Sequence, residues 1–412
     1  MTRSFYITGG WGYGNKGDNA IFEGMRQSFK EHFPSAGLVV TSYSTDEMQE
    51  QHSISAIKSV HRLLGKRSPL GLFRWLGVIL WRISGLRLLL VPSLRRHRTL
   101  MKDASAVVMG GGGYFNDAWP DMLRSRYVEI DLARSVGTPI VIYGQTVGPF
   151  SQQTVEKSLK RYLGYVSRIA YRDAQSLKVL EAAGVPETRR VLSADEANLL
   201  AVRPAVMARR PGRLLVGVMT QKFRPHLGPS GPSAPGSIPD EQTYVQRIAE
   251  ALLSLADAHP DIDYVFIPST RWDEPVVAEA ARRVSDVLAE RVTMVNDPDA
   301  HHFISLCQNV DLMISTNMHP VILAATASVP SVAISYHYKL DDYMASIGLS
   351  DSVVRIDDFT SDSLCQILRR VYESRFDAIK SLSAQHVFIR KLAAKNVRVV
   401  VDLLEKDIEN GS

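Results

Sequence analysis

The stretch Ala104-Ser-Ala-Val-Val-Met-Gly-Gly-Gly-Gly113 runs from an apolar segment directly into four glycines. A continuous apolar run of this length predicts a strand that is buried on both faces, as in parallel sheets covered by helices. The glycines tolerate positive φ angles and a close approach of other groups to the backbone, so we expect a turn after the strand. We therefore take this stretch as the centre of a parallel α/β sheet.

The same alternation of strand, turn and helix extends along the chain in both directions. In the N-terminal half we predict strands at Phe5–Thr8, Leu38–Tyr43, Ala104–Met109, Pro139–Tyr143 and Arg168–Tyr171, and helices at Asn19–Phe33, Ser151–Val166 and Ala174–Ala183. The pattern then restarts, with strands at Leu214–Met219, Tyr264–Ile267, Val292–Met294, Leu312–Ser315 and Ser331–Ser335, and helices at Tyr244–Ala258, Pro275–Leu288, Phe303–Gln308 and Val321–Ala327. Strands that alternate with helices predict parallel sheets.

We therefore predict an α/β fold of two doubly wound domains that face a cleft, with a Pro- and Arg-rich linker near residues 203–212. The first domain is expected to span residues 1–205 and to carry a basic, apolar insertion at 58–102. The second spans residues 206–412. Ligands of such sheets bind beyond the carboxyl ends of the strands. A proline-rich stretch between Arg224 and Asp240 predicts a loop.

The composition excludes several classes of protein. With 412 residues, 45% of them hydrophobic and 22% charged, the chain is neither disordered, collagen-like nor a small disulfide scaffold. The two cysteines, Cys307 and Cys365, lie far apart, which argues against a cysteine zinc site and fits a reducing compartment. Because no basic stretch followed by an apolar core precedes the first strand, we expect no signal peptide and a cytoplasmic location.

One segment carries the excess positive charge. Between Glu50 and Asp103 there is no acidic residue but eleven lysines and arginines, whereas the net charge of the whole chain is only +5. The centre of this segment, residues 70–91, is strongly apolar, but its arginines and glycines make it a poor membrane-spanning helix.

The insertion instead favours a helix lying in a membrane interface through residues 63–98, as on the inner face of the plasma membrane. In this interpretation the arginines meet lipid phosphates, and the acyl boundary receives Phe73, Trp75, Trp81 and the leucines. The alternative is a helical insertion packed on the protein with solvated or paired arginines. Nucleic acid is not an expected partner, because the basic residues accompany a broad apolar face.

Three glycine-containing loops follow predicted strands of the first sheet. Residues Gly12–Gly17 fit the GxGxxG pattern before a helix, which is a weak indication of a dinucleotide site. The carboxylate of Asp18 would repel a pyrophosphate there, and a cap on the helix by Asn15 or Asp18 is the alternative. The loops at 110–117 and 144–150 could offer backbone N–H groups to an anion or a sugar hydroxyl. Together the loops predict one wall of a cleft.

Short motifs recur in a fixed order along most of the chain. They are Gly14–Ala20, Gly110–Phe115 with Asp117, Gly144–Pro149, Tyr171–Asp173 with Ser176, Leu180 and Gly184, Ser193–Asp195 with Ala197, Ser315–His319, Ala324–Ala325, Val329–Pro330, Ser335–Lys339 and Ile347–Leu349. In these motifs the chain resembles the polysaccharide pyruvyl transferase family. It departs from the family at Asn317, where an arginine two residues before the histidine is usual. The insertion at 58–102 has no match that we can place.

The resemblance implies a glycosyltransferase-B-like pair of Rossmann-like domains, the first binding an acceptor and the second a donor. It implies transfer of pyruvate from phosphoenolpyruvate to sugar hydroxyls as a ketal, with release of phosphate and without a metal or other cofactor. The acceptor would be a saccharide or a lipid-linked saccharide, on a cell-surface polysaccharide or glycolipid precursor.

Such a reaction needs a proton donor, a base and cations for a carboxylate and a phosphate. His319 follows a predicted strand and precedes a helix opened by Pro320, so it is our candidate acid–base residue, with a structural turn histidine as the alternative. Asp18 is the candidate base. The donor-binding candidates are Lys339, Arg172, His337, Arg271 and Lys222.

These donor candidates also have ordinary interpretations. Arg172 could instead pair with Asp173 or Asp195, and His337 could be a neutral core or surface imidazole. The acceptor-binding candidates are Asn15, Gly17, Gly112, Gly113, Tyr114, Asp117 and Gln145.

Two other functions remain open from the sequence. One is a glycosyltransferase of the same architecture that uses a nucleotide sugar. The other is a non-catalytic glycan- or lipid-binding relative. Asn317 in place of the family's arginine would explain a loss of donor chemistry in such a relative.

Overall fold

The computed structural model describes residues 3–65, 69–86, 89–150, 153–222 and 239–410. The chain divides into two compact units. The N-terminal unit comprises Met1–Tyr13, Ile21–Glu196 and the chain from Leu392 onward, and the C-terminal unit comprises Gly14–Ala20 and Ala197–Lys391. The predicted loop between Arg224 and Asp240 lies almost entirely outside the described residues.

The N-terminal unit is built on a parallel sheet. Its strands are β1 (Ser4–Thr8), β2 (Gly37–Ser42), β3 (Ala56–Lys58), β4 (Ala106–Met109), β5 (Gly112–Phe115), β6 (Ile140–Val147), β7 (Arg168–Tyr171) and β8 (Arg190–Leu192). They lie in the order β3-β2-β1-β4-β6-β7-β8, with β5 also paired to β6. The helices are α1 (Lys16–His32), α2 (Thr45–His52), α3 (Val60–Leu63), α4 (Pro69–Ser84), α5 (Pro92–Lys102), α6 (Pro120–Arg134), α7 (Gln153–Leu163) and α8 (Ala174–Ala182).

Both faces of this sheet are buried, as the apolar strands predict. Successive residues of a strand point to opposite faces. Accordingly Tyr6 and Val107 contribute to one apolar core, whereas Phe5, Ile7 and Val108 contribute to another. The sheet therefore needs helices on both sides, which is why its strands carry few polar residues.

The C-terminal unit repeats this design with six parallel strands. They are β9 (Leu214–Met219), β10 (Ile262–Phe266), β11 (Val292–Met294), β12 (Leu312–Ser315), β13 (Ser331–Ser335) and β14 (Val353–Arg355), in the order β11-β10-β9-β12-β13-β14. The helices are α9 (Glu241–Ala258), α10 (Glu274–Leu288), α11 (Ala300–Gln308), α12 (Met318–Thr326), α13 (Tyr338–Ser346), α14 (Ser361–Glu373) and α15 (Arg375–Ala393). The last helix of the chain is α16 (Lys395–Asn410).

Each sheet reverses its strand order once, between β1 and β4 and between β9 and β12. Such reversal points open a crevice at the carboxyl ends of the strands, where α/β proteins bind ligands. The predicted fold class of two doubly wound parallel α/β domains is confirmed.

The division into units differs from the predicted boundary at residues 205 and 206. The C-terminal residues return to the N-terminal unit because α16 buries Val397, Val400 and Leu403 in one of its cores. Asn396 fixes the start of this helix by donating to the Ala194 carbonyl (2.9 Å). The same side chain donates to Glu196 Oε2 (2.7 Å).

The predicted turn at Gly144 is wrong. Strand β6 continues through this glycine to Val147, and the pairing with β7 shifts register between Ile142 and Gln145. Gly144 has φ +61°, a conformation that a glycine adopts without strain, so the strand absorbs a bulge and then resumes. The predicted loop after Met109 also contains a strand, β5, which pairs with β6.

The basic insertion contains α4 and α5. Trp81 is buried and Trp75 half-buried against the N-terminal unit, so the expectation that both tryptophans face the membrane is wrong. Two of the expected lipid-facing arginines instead bind the protein: Arg74 donates to the Leu63 carbonyl, and Arg82 pairs with Asp131. Among the described residues, none of the helices combines the length and the apolar character that crossing a membrane requires.

Candidate functional site

The start of α1 is bound to the C-terminal unit by its backbone. The Lys16 N–H donates to the Ser269 carbonyl (3.1 Å), and Asn15 forms an antiparallel bridge with Thr270. Asn15 also caps the helix, because its Oδ1 accepts from the Gly17 N–H (2.9 Å). The helix therefore begins at Lys16, three residues before the predicted start at Asn19.

Gly17 lies against the imidazole of His319. A β carbon built on Gly17 would be 2.2 Å from His319 Nδ1, so a side chain at position 17 would displace the ring. His319 is the second residue of α12, directly after β12, and β12 borders the strand reversal of this sheet. Asp18, half-buried in the first turn of α1, follows the glycine that touches the imidazole. Both predicted catalytic residues thus belong to the C-terminal unit.

The candidate cations of the C-terminal unit follow its strands. Lys222 comes after β9, and its N–H donates to Asp273 Oδ1 (3.1 Å). Arg271 follows β10 and is exposed, with its guanidinium 4.3 Å from the centre of the Trp272 ring. Lys339 stands in the first turn of α13, after β13, and is half-buried. These side chains follow the carboxyl ends of three parallel strands of one sheet, in which β9 and β10 are neighbours and β12 lies between β9 and β13.

Lys16 is a further cation, in addition to those predicted from the sequence. Its ammonium lies 3.0 Å from Asp297 Oδ1, and its side chain is only 7% exposed whereas that of Asp297 is 69% exposed. In the sequence, only the position of Lys16 inside the Gly14–Ala20 motif indicates a functional role for this side chain. Asp273 is also absent from the predicted residues, because nothing in the local pattern shows that its carboxylate accepts from the Lys222 N–H after β9 and from Thr270 Oγ1 after β10.

His337 is a helix cap rather than a cation. Its Nδ1 accepts from the Lys339 N–H (3.2 Å) at the start of α13, which requires an unprotonated nitrogen. Burial, with the positive charges of Lys339 and Arg355, lowers the pKa of His337 to about 3. The imidazole is neutral at physiological pH, so it can orient a ligand by hydrogen bonding but cannot attract an anion by charge.

Asn317, at the position where the family usually has arginine, is the cap residue of α12. Its N–H donates to Ser315 Oγ (2.9 Å), and its side-chain amide lies 3.5 Å from Met219 Sδ. The start of α12 therefore has no guanidinium at this position.

Five of the seven acceptor candidates belong to the N-terminal unit, namely Gly112, Gly113, Tyr114, Asp117 and Gln145. The Tyr114 ring covers Gly10 and Gly112, where a β carbon would overlap it. Tyr114 and Asp117 are half-buried, whereas Gln145 is buried and donates to the Gly110 carbonyl. The other two candidates, Asn15 and Gly17, belong to the C-terminal unit.

Two buried arginines support these loops of the N-terminal unit. Arg172 pairs with Asp195 and donates to Thr146 Oγ1 (3.0 Å), which matches its alternative interpretation as an ion pair. Arg126 of α6 donates to the Gly9 carbonyl (2.8 Å) and lies 5.7 Å from the centre of the Tyr114 ring. Arg126 is not among the residues predicted from the sequence, because α6 is not among the predicted helices.

Two doubly wound parallel units, each with candidate ligand residues beyond the carboxyl ends of its strands, define a protein of the glycosyltransferase-B-like class. Solved structures share this fold. A putative UDP-N-acetylglucosamine 2-epimerase from Listeria monocytogenes is 11% identical with a TM-score of 0.65, covering 99% of this chain and 98% of its own. HepE of Anabaena, solved with UDP-glucose, is 13% identical with a TM-score of 0.56, covering 99% of both chains. At these identities the likeness concerns the fold alone.

The chain belongs to the polysaccharide pyruvyl transferase family, whose sequence model matches residues 15–338. The amylovoran biosynthesis protein AmsJ of Erwinia amylovora is 22% identical over 430 residues, covering 95% of this chain and 97% of its own. The predicted family is therefore confirmed, and the chain is a transferase of polysaccharide biosynthesis. The match includes Asn15, Gly17 and His319, the residues that the C-terminal unit brings together.

Proposed function

We propose that the protein transfers the pyruvyl group of phosphoenolpyruvate to two hydroxyls of a saccharide, forming a ketal on a surface polysaccharide or its glycolipid precursor. The observation that carries the proposal is the contact of Gly17 with His319. This contact brings the imidazole to the start of α1 within the C-terminal unit. The candidate cations follow the strands of the same unit.

The donor is proposed to bind the C-terminal unit. Phosphoenolpyruvate carries a carboxylate and a phosphate, and positively charged side chains can bind both groups. Lys339 and Arg271 follow β13 and β10, and Lys222 follows β9, where its ammonium is 4.0 Å from Glu241 Oε2. A pair at this distance with both side chains about half exposed is weak, so an anionic ligand can compete for the lysine.

The chemistry assigns a proton transfer to each candidate catalytic residue. His319 donates a proton to the methylene carbon of the donor, which leaves an oxocarbenium-like centre at the adjacent carbon. One sugar hydroxyl attacks this centre and loses its proton to Asp18. The carbon–oxygen bond to phosphate breaks, and the second hydroxyl closes the ketal as its proton leaves with the phosphate. No step needs a metal, so we expect turnover in the presence of a chelator.

The acceptor is proposed to bind the N-terminal unit. Tyr114 offers an aromatic face and Asp117 a carboxylate that can accept hydrogen bonds from sugar hydroxyls. Among the glycines before Tyr114, Gly112 has φ +124°, which other residues rarely adopt. Gln145 fixes the loop through the Gly110 carbonyl and is assigned a supporting role.

The test is phosphate release from phosphoenolpyruvate in the presence of candidate saccharides and glycolipids. We expect release that depends on the acceptor, and a fall in kcat of about 10²-fold or more in His319→Gln, because general acid catalysis is lost. His302→Gln, a half-buried histidine of α11, is the matched control and should keep full activity. Undiminished turnover of His319→Gln would reject the assignment.

A nucleotide-sugar glycosyltransferase is the second candidate. The observation that favours it is the shared fold with HepE, which was solved with UDP-glucose. Release of UDP or GDP from nucleotide sugars, without phosphate release from phosphoenolpyruvate, would establish this function instead. Glycan binding without either release would establish a non-catalytic relative, as the loss of an arginine at position 317 suggests.

A further inference from the structure

We propose that α4 is a membrane-docking helix whose outward face inserts into the interface of an anionic lipid surface. The proposal concerns the N-terminal unit and does not depend on the proposed transferase chemistry.

Helix α4 is apolar on two opposite faces. Its inward face buries Gly71, Val78 and Trp81. Its outward face carries six apolar side chains that are between 41% and 80% exposed. These are Leu72, Phe73, Leu76, Ile79, Leu80 and Ile83. Their spacing of one, three, three, one and three residues places them on one continuous stripe of a helix. A helix that is apolar all round belongs in a protein core or a membrane, and here only one face has a core.

The inward face is held firmly. Trp75 Nε1 donates to the Leu64 carbonyl (2.8 Å), and Arg74 donates to the Leu63 carbonyl (2.7 Å). Arg82 pairs with Asp131 of α6 at 2.6 Å. The outward stripe is therefore already ordered before any partner binds, so docking does not have to fold the helix.

The charge of the surrounding segment selects the partner. The 52 residues between Glu50 and Asp103 contain no acidic residue and eleven basic ones. Of the basic residues that the structure describes in this segment, six are exposed. Arg82 pairs with Asp131, and the other five are Lys58, Arg62, Arg95, Arg96 and Lys102. An anionic bilayer can bind both parts of this surface. Its acyl chains accommodate the exposed apolar stripe, and its negative headgroups attract the basic residues around the stripe.

A second copy of the chain fits this surface less well. Contact through a two-fold axis would bring the same basic segment of each copy against the other, and like charges would oppose the association. Spanning the bilayer is also unsuitable, because a 16-residue helix is about 24 Å long and the hydrocarbon core is about 30 Å thick. The helix would therefore lie in the plane of the interface.

Vesicle sedimentation with the full-length protein tests the proposal. We expect binding to vesicles that contain about one third phosphatidylglycerol, with at least tenfold weaker binding to pure phosphatidylcholine and at high salt. Phe73→Ser/Ile83→Ser removes two outward side chains that are 66% and 80% exposed, and should weaken binding at least tenfold. Both side chains are exposed, so the melting temperature should stay close to that of the wild type.

The matched control is Phe376→Ser/Val387→Ser on α15, where the replaced side chains are 71% and 55% exposed. This variant should bind vesicles like the wild type. The proposal is overturned if the wild type does not sediment with anionic vesicles, or if both double variants bind equally. It is also overturned if ultracentrifugation without lipid shows a dimer that only Phe73→Ser/Ile83→Ser dissociates, since a second copy would then cover the stripe.

Discussion

At the scale of single residues, Gly17 determines where the His319 imidazole can stand. The glycine is the second residue of α1, and its missing side chain leaves the volume that the ring of His319 occupies. A glycine at this position is therefore explained by packing against a candidate catalytic group rather than by backbone conformation.

Gly17→Ala should lower the kcat of acceptor-dependent phosphate release at least tenfold. The added methyl group would come 2.2 Å from His319 Nδ1 and must displace the ring. Overpacking costs about 1–3 kcal/mol, partly offset because alanine favours a helix by about 1 kcal/mol over glycine, so the protein should remain folded. Steady-state kinetics together with a thermal melt measure both effects.

Gly37→Ala is the control for that substitution. A β carbon there would meet its nearest neighbour, Ser4 Oγ, at 3.9 Å, an ordinary contact. Its activity should equal that of the wild type. Equal activity of Gly17→Ala would mean that the position of the imidazole does not limit the reaction.

At the scale of secondary-structure elements, Glu196 joins three of them. Its carboxylate accepts from Ser28 of α1 (2.7 Å), Tyr143 of β6 (2.7 Å) and Asn396 of α16 (2.7 Å). Burial raises the pKa of Glu196 to about 7, although the three hydrogen bonds act in the opposite direction. The tie between α16 and the N-terminal unit thus depends on a group that titrates near neutrality.

The stability of the protein should therefore depend on the protonation of Glu196. Between pH 4.5 and 7 the native state keeps the proton on Glu196, whereas the unfolded chain, with a pKa near 4.5, has released it. The contribution of this proton to the free energy of unfolding therefore declines as pH rises from about 4.5 to about 7. The loss amounts to about 3 kcal/mol at ~1.4 kcal/mol per pH unit. In Glu196→Gln this decline should be absent from denaturant unfolding measured across that range.

Glu50→Gln, which changes an exposed glutamate, is the reference variant. Its pH profile should follow the wild type. A Glu196→Gln profile parallel to the wild type would show that the carboxylate does not titrate in this range.

At the scale of the whole molecule, the chain crosses between the two units more than once. The start of α1 is grouped with the C-terminal unit, and the residues from Leu392 onward return to the N-terminal unit. Val397, Val400 and Leu403 then complete a core that begins with Phe5 and Ile7 of β1. The N-terminal unit is therefore not a contiguous segment.

A fragment of residues 1–205 should fail to unfold cooperatively, because it lacks the α16 side chains that close this core. Joining residues 392–410 to it through a flexible linker should restore a cooperative thermal transition. A fusion to α14, whose Leu364 and Leu368 belong to the core of the other unit, is the control and should not restore it. A cooperative transition of the 1–205 fragment alone would contradict the role of α16.

The sequence by itself determined the fold class, the family and most strands. The strands Arg168–Tyr171, Leu214–Met219, Val292–Met294, Leu312–Ser315 and Ser331–Ser335 coincide with their predictions, because an apolar run buried on both faces is a local signal. Candidate residues such as His319 and Lys339 could be found for the same reason, since the ends of such strands are visible in the sequence.

Only the tertiary structure decided which of these residues meet. The contact of Gly17 with His319 joins residues 302 positions apart, and the return of α16 joins the two ends of the chain. It also decided that Arg172 pairs with Asp195, that His337 caps a helix, and which face of α4 is covered. Such contacts depend on packing between distant segments, and a local pattern of residue types carries no information about them.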